Sequence, residues 1–247
     1  HRAEFVSRDI NKAIYYLTLA ANQNNNNAQY YLGFLYYNDK FVPRDINKAI
    51  HYSTLSANKN NKKAQFLLGC IYFNLDDIDK SIHFLTLSAN LNNSDAQLAL
   101  GYIYTKKRYQ LNKAIYYLTF SSYNNNRISQ YLLGKIYFKG KFVPMDIDKA
   151  IYYLTKSANN YFTKSQLFLG KIYYFGKYTK KNIKKAIYYF KEASSFNNQY
   201  AKNNLGIIYK NGDEVEQNIE YSKIYFNEAI TQKNDNFSLY NLAKIYY

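Results

Sequence analysis

Apolar and polar positions along the chain alternate with helical spacing, and the whole pattern then returns at a longer interval. Ala28, Leu32, Leu35 and Tyr36 fall at i, i+4, i+7 and i+8, which makes one face of a 3.6-residue helix rather than a strand. This predicts helix A of a repeating unit. Ile46, Ala49, Ile50, Tyr52 and Ser53, continuing to Ser56 and Ala57, form a second stripe of apolar and small residues and predict helix B. A Leu-Gly pair marks helix A at Leu32-Gly33, Leu68-Gly69, Leu100-Gly101, Leu133-Gly134, Leu169-Gly170 and Leu205-Gly206, with Leu242-Ala243 as a degraded seventh; the leucines are 36, 32, 33, 36, 36 and 37 residues apart. A small residue followed three later by an aromatic marks helix B at Ala13/Tyr16, Ala49/Tyr52, Ser81/Phe84, Ala114/Tyr117, Ala150/Tyr153, Ala186/Tyr189 and Ser222/Tyr225. Two signals per period imply two helices per repeat.

Four residues before each small position stands Asp9, Asp45, Asp77, Gln110, Asp146, Asn182 or Asn218. All but Gln110 carry the short side-chain oxygen that caps a helix start. Pro43 and Pro144, two residues earlier, hold the incoming chain extended. Asn runs at 24–27, 58–61 (with Lys59 inside) and 124–126 predict the turns from B back to A. A glycine inside a helix costs roughly 0.5–1 kcal/mol. Its recurrence at Gly33, Gly69, Gly101, Gly134, Gly170 and Gly206 therefore predicts a notch through which helix B approaches helix A, against the small residues Ala49, Ala114, Ala150 and Ala186. Such a hairpin cannot cover its apolar faces alone, so the fold class expected is all-α, an α/α superhelical solenoid of stacked hairpins with helix A lining a concave wall.

The unit Ala28-Gln29-x-x-Leu32-Gly33-x-x-Tyr36, a loop with Val42-Pro43-x-Asp45, then Lys48-Ala49-x-x-Tyr52 and Ser56-Ala57-Asn58, resembles the Sel-one-like repeat, a relative of the tetratricopeptide repeat with a longer interhelix loop. The string returns at 130–158 and, more loosely, at 166–194. The resemblance covers essentially the whole chain. It implies a non-catalytic scaffold that binds other proteins. Where the family's loop typically carries two glycines around one residue, the first survives as Gly140, Gly176 and Gly212, and Phe41, Phe142, Tyr178 and Glu214 hold the second place. Near 75–77 and 106–110 the loop is three or four residues shorter.

The phase predicts a single repeat array over 1–247: 1–27 as helix B only, repeats at about 28–62, 63–94, 95–127, 128–163, 164–199 and 200–235, and 236–247 as helix A only. Residues 5–9 match 41–45, so the chain opens inside an interhelix loop, which with unfinished ends reads as an excerpt from a longer protein.

Composition narrows the chemistry. The 247 residues carry 33 Lys+Arg against 17 Asp+Glu, a net charge of +16, with one Cys, 31 Tyr and no Trp. Apolar residues at 47% against 20% charged predict a folded chain. No apolar run reaches the ~18–20 residues of a membrane-spanning helix. The lone Cys70 and the lack of a signal-peptide pattern point to the cytoplasm. His51 and His83 occupy the position held by Tyr15, Tyr116, Tyr152 and Tyr188 and read as aromatic substitutes. No metal, cofactor or nucleophile constellation is apparent, so no cofactor and no catalysis are expected.

What remains is the helix-A wall. Positions two before, two after and five after each leucine share one face. They read Tyr30, Phe34, Tyr37; Phe66, Cys70, Phe73; Leu98, Tyr102, Thr105; Tyr131, Lys135, Phe138; Leu167, Lys171, Tyr174; and Asn203, Ile207, Lys210. The aromatics among them, with Lys135 and Lys171, are the expected groove for an extended or helical peptide of a partner protein. Two alternatives stand beside this adaptor reading: a basic RNA-binding solenoid, suggested by the charge, and the regulatory repeat region of a larger kinase or degradation adaptor. Lysines before the small residue, at Lys12, Lys48, Lys80, Lys113, Lys149 and Lys185, are expected to be solvated stems.

Overall fold

The computed structural model describes residues 9–106, 110–141, 143–230 and 236–247. Among them every regular element is an α-helix: α1 (Ile10–Asn22), α2 (Asn26–Tyr37), α3 (Ile46–Ala57), α4 (Lys62–Asn74), α5 (Ile78–Asn90), α6 (Ser94–Lys106), α7 (Leu111–Tyr123), α8 (Arg127–Lys139), α9 (Ile147–Asn159), α10 (Thr163–Phe175), α11 (Ile183–Ser195), α12 (Gln199–Asn211), α13 (Ile219–Ile230) and α14 (Asn236–Tyr246). Even-numbered helices are the predicted A helices and odd-numbered ones the B helices. The closest partnerships are α2 with α3, α4 with α5, α6 with α7, α8 with α9, α10 with α11 and α12 with α13, and each pair is one hairpin. The chain divides into two compact units, one up to Asn124 and one from Asn125. The expected loop residue Phe142 and the opening segment 1–8 lie outside the described residues.

Local chemistry fixes the ends of the helices. Asp9, Asp45, Asp77, Asp146 and Asn182 each accept a hydrogen bond from the backbone N–H three residues on, at 2.8–3.1 Å, and Asn218 accepts one from Tyr221. Gln110, one methylene longer, makes no such cap. In the turns from B to A, Asn24, Asn60, Asn92, Asn125 and Asn197 take left-handed backbone, and the next residue, Asn25, Asn61, Asn93, Asn126 or Asn198, accepts from the first turn of helix A. The Asn runs thus supply a turn residue and a cap in succession. Gly140 and Gly176 end α8 and α10 with φ of +58° and +62°, where a side chain would be strained.

The glycine notch is present, with the small residue of helix B against it as expected, and a further side chain fills it. A Cβ built on Gly69, Gly101, Gly134, Gly170 or Gly206 would stand 2.5–2.8 Å from Leu85, Leu118, Leu154, Phe190 or Phe226. These knobs come four residues after the small position, one turn further along helix B. In α3 the knob is Ser53, and its backbone N stands 3.0 Å from the same point on Gly33, against 3.3 Å for Leu85 over Gly69. Knob size sets how closely the two helices approach. The small residue has its own contact: Ser81 and Ser222 donate to the carbonyls of Gly69 and Gly206 at 2.8 Å, while Ala49, Ala114, Ala150 and Ala186 are fully buried.

The abundant tyrosine forms a repeated layer. The ring four residues after each Leu of helix A stacks nearly parallel on the aromatic of helix B: Tyr36 on Tyr52, Tyr72 on Phe84, Tyr104 on Tyr117, Tyr137 on Tyr153, Tyr173 on Tyr189 and Tyr209 on Tyr225, with centroids 5.6–6.1 Å apart. Lys48, Lys80, Lys113, Lys149 and Lys185 lie 5.0–5.5 Å from the helix-A ring of each pair. Lys48, Lys80 and Lys149 also pair with the capping Asp45, Asp77 and Asp146. These lysines are exposed, as the sequence predicts, and within that solvated setting each also lies beside a ring of its own hairpin.

Candidate functional site

The helix-A face carries the candidate site, and the two units present it differently. In the first unit, Tyr30, Phe34, Tyr37 and Phe66 line a cavity of about 480 Å³, and Tyr37, Phe73 and Tyr102 line a second of about 360 Å³. The two adjoin, because Tyr37 and Cys70 border both. Helical spacing makes this possible: Tyr30, Phe34 and Tyr37 lie on one face of α2, and Phe66, Cys70 and Phe73 on the matching face of α4. Phe34, Phe73 and Tyr102 are 37–45% exposed, so apolar ring area faces solvent across both openings.

Sequence spacing missed the floor and the rim. Gly69, Leu85, Ala99 and Ile103 line the second cavity, and Lys62, Lys63, Asn92 and Asp95 border the first. The glycine notch and its Leu85 knob thus serve a second purpose, as part of the floor. The rim residues begin α4 (Lys62, Lys63), belong to the α5–α6 turn (Asn92) or begin α6 (Asp95), so only the fold brings them to the site. Asn74 donates to the Tyr37 hydroxyl and Arg44 lies 4.9 Å from the Tyr37 ring, which fixes that side chain between the two cavities. Burial pushes the Cys70 thiol up to about 11, with the nearby Asp95 carboxylate adding to the shift, so it is a neutral thiol at ordinary pH. Burial also raises Tyr30 above the usual phenol value.

In the second unit the same register is filled from within. Phe138 packs edge-on against Phe168 and against Tyr178, with centroids 4.8 and 5.0 Å away. Tyr174 donates to Asp213 at 2.9 Å, and burial together with that carboxylate pushes its hydroxyl up to about 12. Tyr131 meets Phe162 edge-on at 5.3 Å, with Lys135 over its ring at 5.4 Å. Lys171 is exposed. Tyr178 and Asp213 belong to the loops before α11 and α13, residues 176–182 and 212–218. Each loop folds over the A helix of the preceding hairpin and covers its position five after the leucine. At the equivalent place over Tyr37, α4 and α5 are joined by residues 75–77 alone. The shortened loop noted in the sequence leaves the first-unit face open.

Other chemistry is sparse. Among the described residues no group of three His, Cys, Asp or Glu side chains converges as a metal would require, and no helix is long and apolar enough to cross a membrane. His51 and His83 meet Tyr52 and Phe84 edge-on at 5.1 Å, the geometry Tyr116 and Tyr152 keep with Tyr117 and Tyr153.

Hairpins of capped helices, closed by a glycine notch and following one another at about 36 residues, define an α/α repeat protein of the tetratricopeptide-like class. The Sel1 repeat profile matches residues 2–25, 26–61, 62–93, 94–126, 127–161, 163–195 and 199–234, and the chain belongs to the Sel1 repeat family. Proteins built of this repeat generally mediate protein–protein interaction and are generally non-catalytic. The crystal structure of c5321, a protective antigen of uropathogenic Escherichia coli displaying an SLR fold, superposes with a TM-score of 0.81 at 22% identity, over 95% of this chain and 52% of that one. A Sel1 repeat protein from Oxalobacter formigenes gives 0.77 at 22% identity, over 95% of this chain and 70% of that one. The chain thus spans about half the length of the first of these structures, and the likeness is one of fold. Comparison with curated proteins gives no match.

Proposed function

We propose that the chain is a non-catalytic adaptor that holds a peptide segment of a partner protein on the helix-A face of its first unit, with bulky apolar side chains of the partner entering the two adjoining cavities. The observation that carries this reading is the pair of cavities bordered by Tyr30, Phe34, Tyr37, Phe66, Phe73 and Tyr102. Rigid aromatic walls give large contact area at small entropy cost, and binding energy concentrates in such desolvated anchors. Lys62, Lys63 and Asp95 at the rim supply both signs of charge for orienting the segment. The family's general role as an interaction scaffold supports the same conclusion.

The test is partner capture by the chain and by a variant carrying Tyr30→Ala, Phe34→Ala and Phe66→Ala. Loss of the partner with the helical circular dichroism retained is the expected result. Unchanged recovery contradicts the groove. The net charge of +16 favours one other reading, RNA binding. Against it, the recurring helix-B lysines are engaged with capping carboxylates and tyrosine rings. A nucleic-acid filter assay over a salt series separates the two, because phosphate contacts weaken steeply with salt.

A further inference from the structure

A buried glutamine three residues before the leucine of helix A, present in the first five A helices as Gln29, Gln65, Gln97, Gln130 and Gln166, organises a second kind of site, at the B–A turns. Gln29, Gln65, Gln97 and Gln166 each donate through Nε2 to the carbonyl of Ala21, Ala57, Ala89 or Ala158 at the end of the preceding B helix, at 3.1–3.4 Å. That bond leaves Oε1 as the atom to be satisfied. Its donor comes from the position ten after the small residue of the next B helix, which reads Lys59, Leu91, Asn124, Asn160 and Phe196. Lys59 Nζ donates to Gln29 Oε1 at 3.2 Å and to the Asn24 carbonyl at 2.7 Å. Asn160 donates to Gln130 Oε1 at 3.1 Å and to the Asn125 carbonyl at 3.4 Å, and Asn124 reaches Gln97 Oε1 at 3.5 Å. Leu91 and Phe196 have nothing to donate, and Gln65 Oε1 and Gln166 Oε1 are the two glutamine oxygens in this register that are buried without a partner. A buried acceptor left unpaired is costly, so its persistence asks for a donor from elsewhere.

At Gln166 the surroundings identify that donor. The glutamine is 1% exposed and lines a cavity of about 190 Å³ with Ala158, Tyr161, Tyr188, Tyr189 and Glu192. The same cavity recurs in the first unit around Gln97, where Asn92 and Phe120 stand in place of Tyr161 and Glu192. At Gln166 the aromatic Phe196 therefore stands where Gln97 has the amide donor Asn124, and the lining exchanges the Phe120 ring for the Glu192 carboxylate and Asn92 for the Tyr161 ring. Tyr161, left-handed where other turns carry Asn, holds its ring 64% exposed, 6.2 Å from that of Phe196. An amide oxygen, a carboxylate and aromatic faces together suit a cation with N–H donors.

We propose that this notch takes the ammonium of a lysine side chain from a partner protein, in the position that Lys59 Nζ fills for Gln29. The site lies at the B–A turn and does not depend on the helix-A groove. The test is a titration of the 15N-labelled chain with Nα-acetyl-lysine N-methylamide, read at the Gln166 side-chain amide. A saturable shift is expected there and none at Gln29, with affinity about tenfold weaker or worse for the Nε-acetylated and norleucine analogues and for alanine N-methylamide. Phe196→Lys supplies an internal ammonium on an exposed position and is expected to abolish the shift. Glu192→Gln is expected to weaken it. No shift at Gln166, equal affinity for any of the three analogues, or binding that survives Phe196→Lys overturns the proposal.

Discussion

The helix-A faces of the two units share one register and differ in what the loops do to them. Over Phe138 and Tyr174, Tyr178 and Asp213 arrive from seven-residue loops and close the face. Over Tyr37, residues 75–77 are too short to reach, and two cavities stay open. An aromatic five after the leucine is therefore packed in one unit and borders accessible surface in the other. In a repeat protein the scaffold sets where a side chain stands, and the loop of the next repeat decides whether it is free.

The most disruptive way to break this contrast is to transplant the loop. Replacing residues 75–77 by the sequence of 176–182 is expected to cover Tyr37 and lower the affinity for a captured partner peptide at least ~10-fold, as loss of an anchor does; isothermal titration measures it. Undiminished affinity would show that the short loop is irrelevant.

The notch sharpens the comparison at the level of stability. Phe190, fully buried against Gly170, fills the second unit, and truncation to Ala is expected to cost about 3–5 kcal/mol. Ser53 faces Gly33 with a buried hydroxyl that lacks a partner, so Ser53→Ala is expected to change stability by less than about 1 kcal/mol, in the stabilising direction. Native-state hydrogen exchange of α10–α11 and of α2–α3 reads the two separately. A large loss from Ser53→Ala would overturn the account of the notch.

Two smaller effects depend on pH. The Cys70 thiol has a folded value of about 11 against an ordinary 9.0, so its contribution to stability is complete below pH 9 and is lost as pH rises toward 11. Maleimide labelling of the native chain near pH 7 is expected to be slow, and fast labelling would contradict the raised value of the half-buried Cys70 thiol. Asp45, Asp77 and Asp146 are held below the usual carboxylate value by N–H donors of the first turn and by Lys48, Lys80 and Lys149. Their contribution is present above about pH 4 and disappears as pH falls through the lowered folded values. Acid titration followed by circular dichroism checks this. Replacing all three by Asn, which keeps a capping oxygen without the charge, is expected to flatten the profile.

Much of this was legible in the chain itself. Periodicity alone placed the A and B helices, because Leu-Gly and small-x-x-aromatic each report one face. Six of the seven cap residues were visible as Asp or Asn, and Gln110 stood out as the exception. The groove triads could be written down from helical spacing. Their accessibility could not, since Tyr178 and Asp213 lie about 40 residues from the rings they cover. The small residues of helix B meet the notch glycines as the spacing predicts, but the knob was not legible, since side chains lean toward the N-terminus of their helix and the residue one turn later fills the space. The helix-B lysines are exposed as the spacing predicts, and only their ring contacts were hidden, because the stacked ring beside each of them belongs to another helix.

The open face of the first unit can be tested most directly with a peptide selected from a random library on the intact chain. Its Kd is then compared among the chain, the Phe34→Ala/Phe66→Ala variant and a Lys171→Ala/Tyr174→Phe variant. Affinity falling at least ~10-fold in the first variant alone is the predicted result. Equal losses in both, or a loss confined to Lys171 and Tyr174, would contradict it.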